Sequence, residues 1–340
     1  GEFTRRNSMS VGALEKKMGI HAQPTCVMNY DGAIGWLVGE PHRGLAAMFT
    51  MMNAERLMVG IQGLGVAGGA YQQATAYAKD RLQGRSADGT RSPVAIIEHA
   101  DVRRMLLGIR AFVEGGRALA GWTALQLDRA HRHADAGERA QADAFVALLT
   151  PVIKASFTDF GFESAVQAQQ VFGGHGYIRE WGMEQYVRDA RIAQIYEGTN
   201  GVQAMDLVGR KLPMAGGATV TRFFDLIEAD INAAGDSPIA ARTREALALL
   251  REVTMPLIGA DADGVGAAAV DYLRFFALVA MGWMWTRMAS AAASGGTPLH
   301  SSKLVVANFF AQRMLPQAYG LVATIKAGGE SIMALDVDAF

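Results

Sequence analysis

The stretch that decides the fold is residues 170–203, QVFGGHGYIREWGMEQYVRDARIAQIYEGTNGVQ. Near its start, Gly173, Gly174 and Gly176 predict a tight turn whose backbone can approach a ligand closely. Further on, Glu197 follows the apolar pair Ile195-Tyr196 and precedes a glycine. Taken alone, Glu197 also fits a solvated glutamate beside a helix cap at Thr199. The whole motif favours a functional site instead.

The sequence on both sides of this motif has a helical pattern. Apolar residues at helical spacing predict three long helices, at about residues 45–85, 101–133 and 138–172. The first contains five glycines, and each glycine inside a helix costs about 0.5–1 kcal/mol relative to alanine. We therefore expect another helix or a ligand to approach this face closely; the glycines are Gly60, Gly63, Gly65, Gly68 and Gly69.

The two ends of the chain differ from each other. Residues 1–44 contain short apolar runs, such as 26–28 and 34–38, split by Gly, Pro and Asp-Gly, which is typical of strands and turns. After a linker at LPMAGGAT, apolar residues again recur at helical spacing, which indicates a further antiparallel helical bundle. The apolar run at residues 275–286 is shorter than the roughly 20 residues that span a bilayer, so we interpret it as a core helix.

Composition excludes several classes of protein. The 340 residues include 32 Lys and Arg against 33 Asp and Glu, which gives no basic surface for nucleic acid. A single cysteine, Cys26, rules out an internal disulfide and fits a reducing, cytoplasmic location. The opening GEFTRRNSMS has no apolar segment, so no signal sequence is expected. No metal site is expected either.

The motif resembles the acyl-CoA dehydrogenase family. The pairing of Q-x-F-G-G-x-G-Y with R-D-A-R-x-x-x-I-Y-E-G-T-x-x-x-Q carries the resemblance, which extends over roughly residues 8–212. DVRRML at 101–106 and the extra helical segment favour the methylmercaptopropionyl-CoA dehydrogenase-like branch. The resemblance implies a mainly α chain with three parts: the end of a middle β-domain (1–44), a C-terminal four-helix bundle (45–212) and an additional helical domain (213–340).

The family resemblance also implies an activity. It is the α,β-dehydrogenation of an acyl-CoA thioester with FAD, followed by electron transfer to an acceptor such as electron-transfer flavoprotein. A homodimer or homotetramer is expected, with the glycines at residues 60–69 and the FGGHG turn between subunits. Because most of the flavin-binding sheet precedes this segment in the family, we expect the isolated chain to hold FAD poorly and to be inactive alone. The alternatives are a non-catalytic helical oligomerisation module and an acyl-CoA oxidase.

Each family role falls on a particular residue. Removing a proton next to a thioester needs a carboxylate base, and the resemblance gives this role to Glu197. Glu55, in NAERL, is an alternative base used by some branches. Cofactor contacts fall on Arg81, Gln170, Phe172, Gly173, Gly174, Thr199 and Gln203, and substrate contacts on Asn53, Arg56 and Gly198.

Arg81 has an alternative interpretation, and His175 has no catalytic role in this scheme. A guanidinium suits a flavin phosphate, yet Leu82-Gln83-Gly84 replaces the Thr-Phe-Gly-like run that usually follows the family arginine, so Arg81 also fits an exposed ion pair. His175 is interpreted as a hydrogen-bonding loop residue.

Overall fold

The computed structural model describes residues 6–340. Residues 1–5 lie outside the described residues. They include the start of the predicted β segment (1–44) and half of the opening GEFTRRNSMS, for which no signal sequence is expected. The chain is mainly helical, as predicted, with one small sheet. In chain order the elements are β1 Met9–Leu14, β2 Cys26–Tyr30, α1 Gly44–Asp80, α2 Ala100–Arg132, α3 Ala136–Val171, α4 Met183–Arg191, α5 Asn200–Asp206, α6 Ala218–Ala233, α7 Pro238–Ile258, α8 Ala262–Ala293, α9 Pro298–Phe309, α10 Gln317–Lys326 and α11 Glu330–Met333.

The two strands form an antiparallel ribbon. Their register runs from Met9 opposite Tyr30 to Leu14 opposite Cys26. The turn between the strands is attached to α4, because the backbone N–H of Ile20 donates to Asp189 Oδ1 at 2.6 Å and Arg188 donates to the carbonyl of Met18 at 2.9 Å. The apolar run at residues 34–38 does not form the expected strand. It has no neighbouring backbone to pair with among residues 6–340, so its side chains are left exposed.

Close packing between α1 and α3 explains the glycines of α1. A Cβ on Gly63 would lie 2.5 Å from the carbonyl oxygen of Phe157, and a Cβ on Gly161 would lie 2.6 Å from the carbonyl oxygen of Gly63. Gly60 faces Ile153 in the same way. The expected close approach is therefore between helices of one chain. The expectation that these glycines lie between subunits is wrong for Gly60 and Gly63, because α3 already covers them.

The second helical segment shares its core with the first. The indole N–H of Trp285 on α8 donates to the carbonyl of Ala111 on α2 at 3.1 Å. The rings of Trp122 and Trp283 meet edge to face, with their centroids 5.0 Å apart. At the predicted linker the chain turns sharply through Ala215, Gly216 and Gly217, all at positive φ, and enters α6 directly.

Two helices, α3 and α8, are long and apolar enough to cross a membrane by length and composition alone. Of their most apolar windows, 83% and 61% respectively are buried inside the protein. The apolar run at residues 275–286 is completely buried against the other helices. It is a core helix, as the sequence predicts.

Candidate active site

Glu197 lies in a left-handed turn between α4 and α5. Its φ is 58° and that of Gly198 is 84°. A residue with a side chain pays of order 1–3 kcal/mol to adopt such a conformation, which persists only where neighbouring groups fix it. Thr199 then caps α5, since its hydroxyl accepts from the backbone N–H of Val202 at 3.3 Å. Gly198 and Thr199 were expected beside the base, whereas the left-handed φ of Glu197 itself was not predicted.

Two buried side chains hold the carbonyl groups of this turn. Lys154 Nζ, on α3, donates to the carbonyl of Gly198 at 2.8 Å and to Asn200 Oδ1 at 2.9 Å. Gln203 Nε2, on α5, donates to the carbonyl of Glu197 at 3.1 Å. Lys154 and Gln203 are 0% and 1% exposed. The backbone of the turn is therefore fixed from inside the protein, while the carboxylate of Glu197 is not used to fix it.

The Glu197 carboxylate has an oxygen available for chemistry. Its Oε2 is buried and has no hydrogen-bond partner among residues 6–340. Next to it, the hydroxyl of Tyr196 donates to Gln62 Oε1 on α1. Burial raises the pKa of Tyr196, and the nearby carboxylates of Glu197 and Glu55 add to that rise. Both candidate bases therefore lie near one tyrosine, but the side chain of Glu55 is exposed.

The predicted substrate residues Asn53 and Arg56 lie on the same helix as Glu55. Asn53 and Arg56 line a cavity of about 300 Å³ between α1, α2 and α3, and His131 and Lys211 line the same cavity. The Nε atom of Arg56 is buried without a hydrogen-bond partner among the described residues. Gly198, the third predicted substrate residue, does not line this cavity and lies on the Glu197 turn.

The predicted cofactor residues form two separate groups. Arg81, Gln170, Phe172 and Gly173 line a cavity of about 370 Å³ at the C-terminal end of α1, and Gly174 follows directly in sequence. Thr199 and Gln203 lie instead at the Glu197 turn.

Helix α1 sets the distance between the two groups. Gln62 of α1 contacts the Glu197 turn, and Tyr77 contacts the glycine turn. Fifteen residues of helix separate them, which corresponds to ~22 Å. The two groups of predicted cofactor residues therefore lie at separate places along α1.

Aromatic rings support the glycine turn, residues 173–177. Tyr77 stacks on Phe172 with their centroids 4.0 Å apart, and its hydroxyl is 2.9 Å from His175 Nδ1. The His175 ring stacks in turn on Trp181 at 4.3 Å. His175 thus occupies a hydrogen-bonded loop position. The guanidinium of Arg81 forms no ion pair with any residue from 6 to 340.

The sequence analysis missed Lys154, Asn200 and Gln62. A lysine inside an apolar buried run, Val152-Ile153-Lys154-Ala155, was the available signal. Another cavity, of about 630 Å³, lies elsewhere, between α2, α3 and the helical turn that joins α9 to α10. None of the predicted site residues lines it.

The structure is a helical bundle with a half-buried glutamate on one glycine turn, and with a second glycine turn beside an arginine that has no ion pair among residues 6–340. The model of the acyl-CoA dehydrogenase C-terminal domain matches residues 42–212. A second model, described as acetyl-CoA dehydrogenase C-terminal like, matches residues 223–336. The chain belongs to the acyl-CoA dehydrogenase family.

Two relatives cover nearly the whole chain. The 3-methylmercaptopropionyl-CoA dehydrogenase of Ruegeria pomeroyi is 41% identical over 98% of this chain and 59% of its own length. The broad-specificity linear acyl-CoA dehydrogenase FadE5 of Mycobacterium tuberculosis is 32% identical over all of this chain and 61% of its own length. The chain therefore spans about 60% of the length of these relatives.

Solved structures share the fold. Caenorhabditis elegans ACDH-11 in complex with C11-CoA has a TM-score of 0.79 and 18% identity, over 97% of this chain and 55% of its own. An acyl-CoA dehydrogenase complexed with FAD from Bacillus anthracis has a TM-score of 0.74 and 20% identity, over 97% of this chain and 57% of its own. The whole helical arrangement, including α6–α11, thus recurs in known structures.

Proposed function

We propose that this chain carries the catalytic base of a dehydrogenase that oxidises the α,β carbon–carbon bond of an acyl-CoA thioester. Glu197 takes the proton from the α carbon. The observation that carries the proposal is the Glu197 carboxylate, buried at Oε2 and without a hydrogen-bond partner among residues 6–340. Buried polar atoms are nearly always paired, so an unpaired acceptor on a strained turn is typical of a site that receives a proton.

The groups around Glu197 prepare it for this step. The hydrogen bonds from Lys154 and Gln203 fix the backbone on either side, so the carboxylate starts from a defined position. A base must come within about 3 Å of the proton that it removes. Gly198 is required at the same turn, because its φ is 84° and a Cβ there would lie 2.7 Å from Nε2 of Gln203, the amide that holds the Glu197 carbonyl.

The glycine turn and Arg81 suit a bound FAD. At Gly173 and Gly174 no heavy atom lies within 4 Å of where a Cβ would stand, so the backbone is open to a ligand. The Arg81 guanidinium, exposed and outside any ion pair of the described chain, is available for a phosphate. When bound, FAD would accept the hydride from the β carbon. In this proposal Arg81, Gln170, Phe172, Gly173 and Gly174 hold it.

The distance between the two groups of cofactor residues favours an oligomer. The family resemblance assigns Thr199 and Gln203 to the flavin beside the base and the glycine turn to the flavin of a neighbouring subunit, and the ~22 Å of helix between the two groups fits this arrangement. Tyr177, at the glycine turn, is 88% exposed, as a residue that contacts another subunit would be in a single chain. We therefore propose a homodimer or homotetramer. The proposed location is the cytoplasm, and the proposed electron acceptor is electron-transfer flavoprotein.

The substrate contacts in this proposal are Asn53, Arg56 and Gly198. The unpartnered Nε of Arg56 at the cavity between α1, α2 and α3 is a donor for a polar group of the acyl-CoA. The relatives' names refer to methylmercaptopropionyl and linear acyl groups, which supports an acyl-CoA thioester as the substrate class.

The decisive experiment compares Glu197→Gln with Glu55→Gln in the full-length gene product, with an artificial electron acceptor. Glutamine keeps the shape of glutamate but accepts no proton, so Glu197→Gln should lower turnover by on the order of 10²–10⁴. Glu55→Gln, the matched control, should change it by less than about tenfold. Absorbance near 450 nm checks that both variants bind flavin. If Glu55→Gln abolishes turnover and Glu197→Gln does not, Glu55 is the base.

A further inference from the structure

Lys154 is an unusual residue in this core. It lies in the middle of α3 at 0% exposure, and its sequence neighbours Ile153 and Ala155 are each 1% exposed. A buried ammonium is normally paired with a carboxylate. Here its two hydrogen-bond acceptors are neutral: the carbonyl of Gly198 at 2.8 Å and the side-chain carbonyl of Asn200 at 2.9 Å. Within residues 6–340, the positive charge is therefore kept in the core without a direct ion pair.

We propose that Lys154 is the positioning residue of the base: it clamps the carbonyl of Gly198, keeps Glu197 in its left-handed conformation, and places a positive charge behind the ionised carboxylate. The proposal rests on the assignment of Glu197 as the base. The clamp acts on the backbone directly after Glu197, so releasing it allows the strained φ of 58° to relax. Glu197 would then move away from the substrate.

The charged groups around Lys154 come from three elements. Asp159 lies on α3 itself, Glu197 on the turn and Arg56 on α1. Burial lowers the pKa of Lys154 to about 8, while Asp159 and Glu197 act in the opposite direction and Arg56 in the same direction as burial. Lys154 thus loses its charge at a pH only slightly above neutral. Above that pH, the ionised carboxylate of Glu197 loses a favourable neighbour.

A purely structural lysine would have different consequences. Asn200 is also held by Thr158 and Asp159 of α3, through Asn200 Nδ2 at 2.9 Å and 2.7 Å. The start of α5 therefore stays attached to α3 when the lysine is removed. The effect of removal should be confined to the turn that contains Glu197 and Gly198.

The first test is hydrogen exchange on the 340-residue chain, comparing Lys154→Met with the wild type. Exchange in peptides that cover residues 195–203 should become at least about tenfold faster, and peptides from α1 and α2 should keep their protection. Lys303→Met, which also removes one partly buried cation from an ion pair with Glu114, is the control and should leave residues 195–203 unchanged. Unchanged exchange at residues 195–203 in Lys154→Met would overturn the proposal.

The second test uses the rate of the full-length gene product. Lys154→Met should lower kcat by on the order of 10–10² with KM changed less than about threefold, because the base is displaced and binding is not. The fall in rate above about pH 8 should disappear. A slower enzyme that still loses rate above about pH 8 would make Lys154 a purely structural residue and overturn the charge part of the proposal.

Lys154→Gln separates the clamp from the charge and covers the case in which Lys154→Met does not fold. Glutamine can still donate to the carbonyl of Gly198 but carries no charge. It should keep slow exchange at residues 195–203 and still lose the alkaline limb. If the wild-type protein shows no dehydrogenation at all, the proposed function fails, and the exchange data still decide whether Lys154 is the clamp.

Discussion

Replacing Gly63 by alanine tests the helix contact on which the site is built. The new Cβ would lie 2.5 Å from the carbonyl oxygen of Phe157, about 0.9 Å closer than an ordinary contact of 3.4 Å. The obstacle is backbone on both helices, so no side chain can rotate away. Because the Glu197 turn is fixed from α3 by Lys154 and from α1 by Gln62, separating these helices also loosens the site.

The magnitude follows from two opposing effects. Forcing a methyl group into a packed contact costs about 1–3 kcal/mol, and the rigid backbone here favours the upper end. Alanine also gains about 0.5–1 kcal/mol over glycine inside a helix. The net loss in the free energy of unfolding is therefore about 2 kcal/mol for Gly63→Ala, or roughly 3 °C in Tm for a chain of this length.

Gly65→Ala is the matched control on the same helix. No heavy atom lies within 4 Å of its Cβ position, so only the helical gain remains and the variant should be more stable by about 0.4–1 kcal/mol. Denaturant unfolding followed by far-ultraviolet circular dichroism measures both. Equal stability of the two variants would refute the packing argument.

Two further predictions concern assembly and pH. Sedimentation at micromolar concentration should show a dimer or larger, and a single species at the 36.3 kDa of one chain would contradict the assembly. The pKa of Lys154 is about 8 in the folded chain, below the ordinary 10.5. Between these two pH values the unfolded chain binds more protons than the folded chain. The contribution of Lys154 to the free energy of unfolding therefore rises with pH in this range. The free energy of unfolding of the wild type relative to Lys154→Met should therefore increase from pH 8 to pH 9.5; a decrease would reverse the sign of the shift.

The sequence predicted the elements that depend on local pattern. The three long helices begin and end within a few residues of their expected positions, except that α1 stops at Asp80 rather than near residue 85. There the chain becomes extended and Leu82 pairs with Ala95, a long-range contact that periodicity does not show. The glycines of α1 indicated a close approach, and only the fold shows that α3 makes it.

The site was predictable only where a motif marked it. Glu197 and the glycine turn stand in recognisable motifs, but the positive φ of Glu197 and the buried amine beneath it depend on residues 43 positions apart. Lys154 adjoins the turn because α3 runs under it, and no local signal connects the two. The sequence also does not give the distance between the glycine turn and the Glu197 turn, which is set by the length of α1.

Helix α1 sets the distance between the Glu197 turn and the glycine turn. It extends for ~55 Å without interruption, with Gln62 attached to one functional turn and Tyr77 to the other. One inserted residue between them would advance the far end by ~1.5 Å and rotate it by ~100°, so at most one of the two attachments could survive. An insertion or deletion between Gln62 and Tyr77 would thus detach α1 from one of the two turns. The spacing of the two turns is fixed by the number of α1 residues between Gln62 and Tyr77. Substitutions within either turn can therefore occur without changing that spacing.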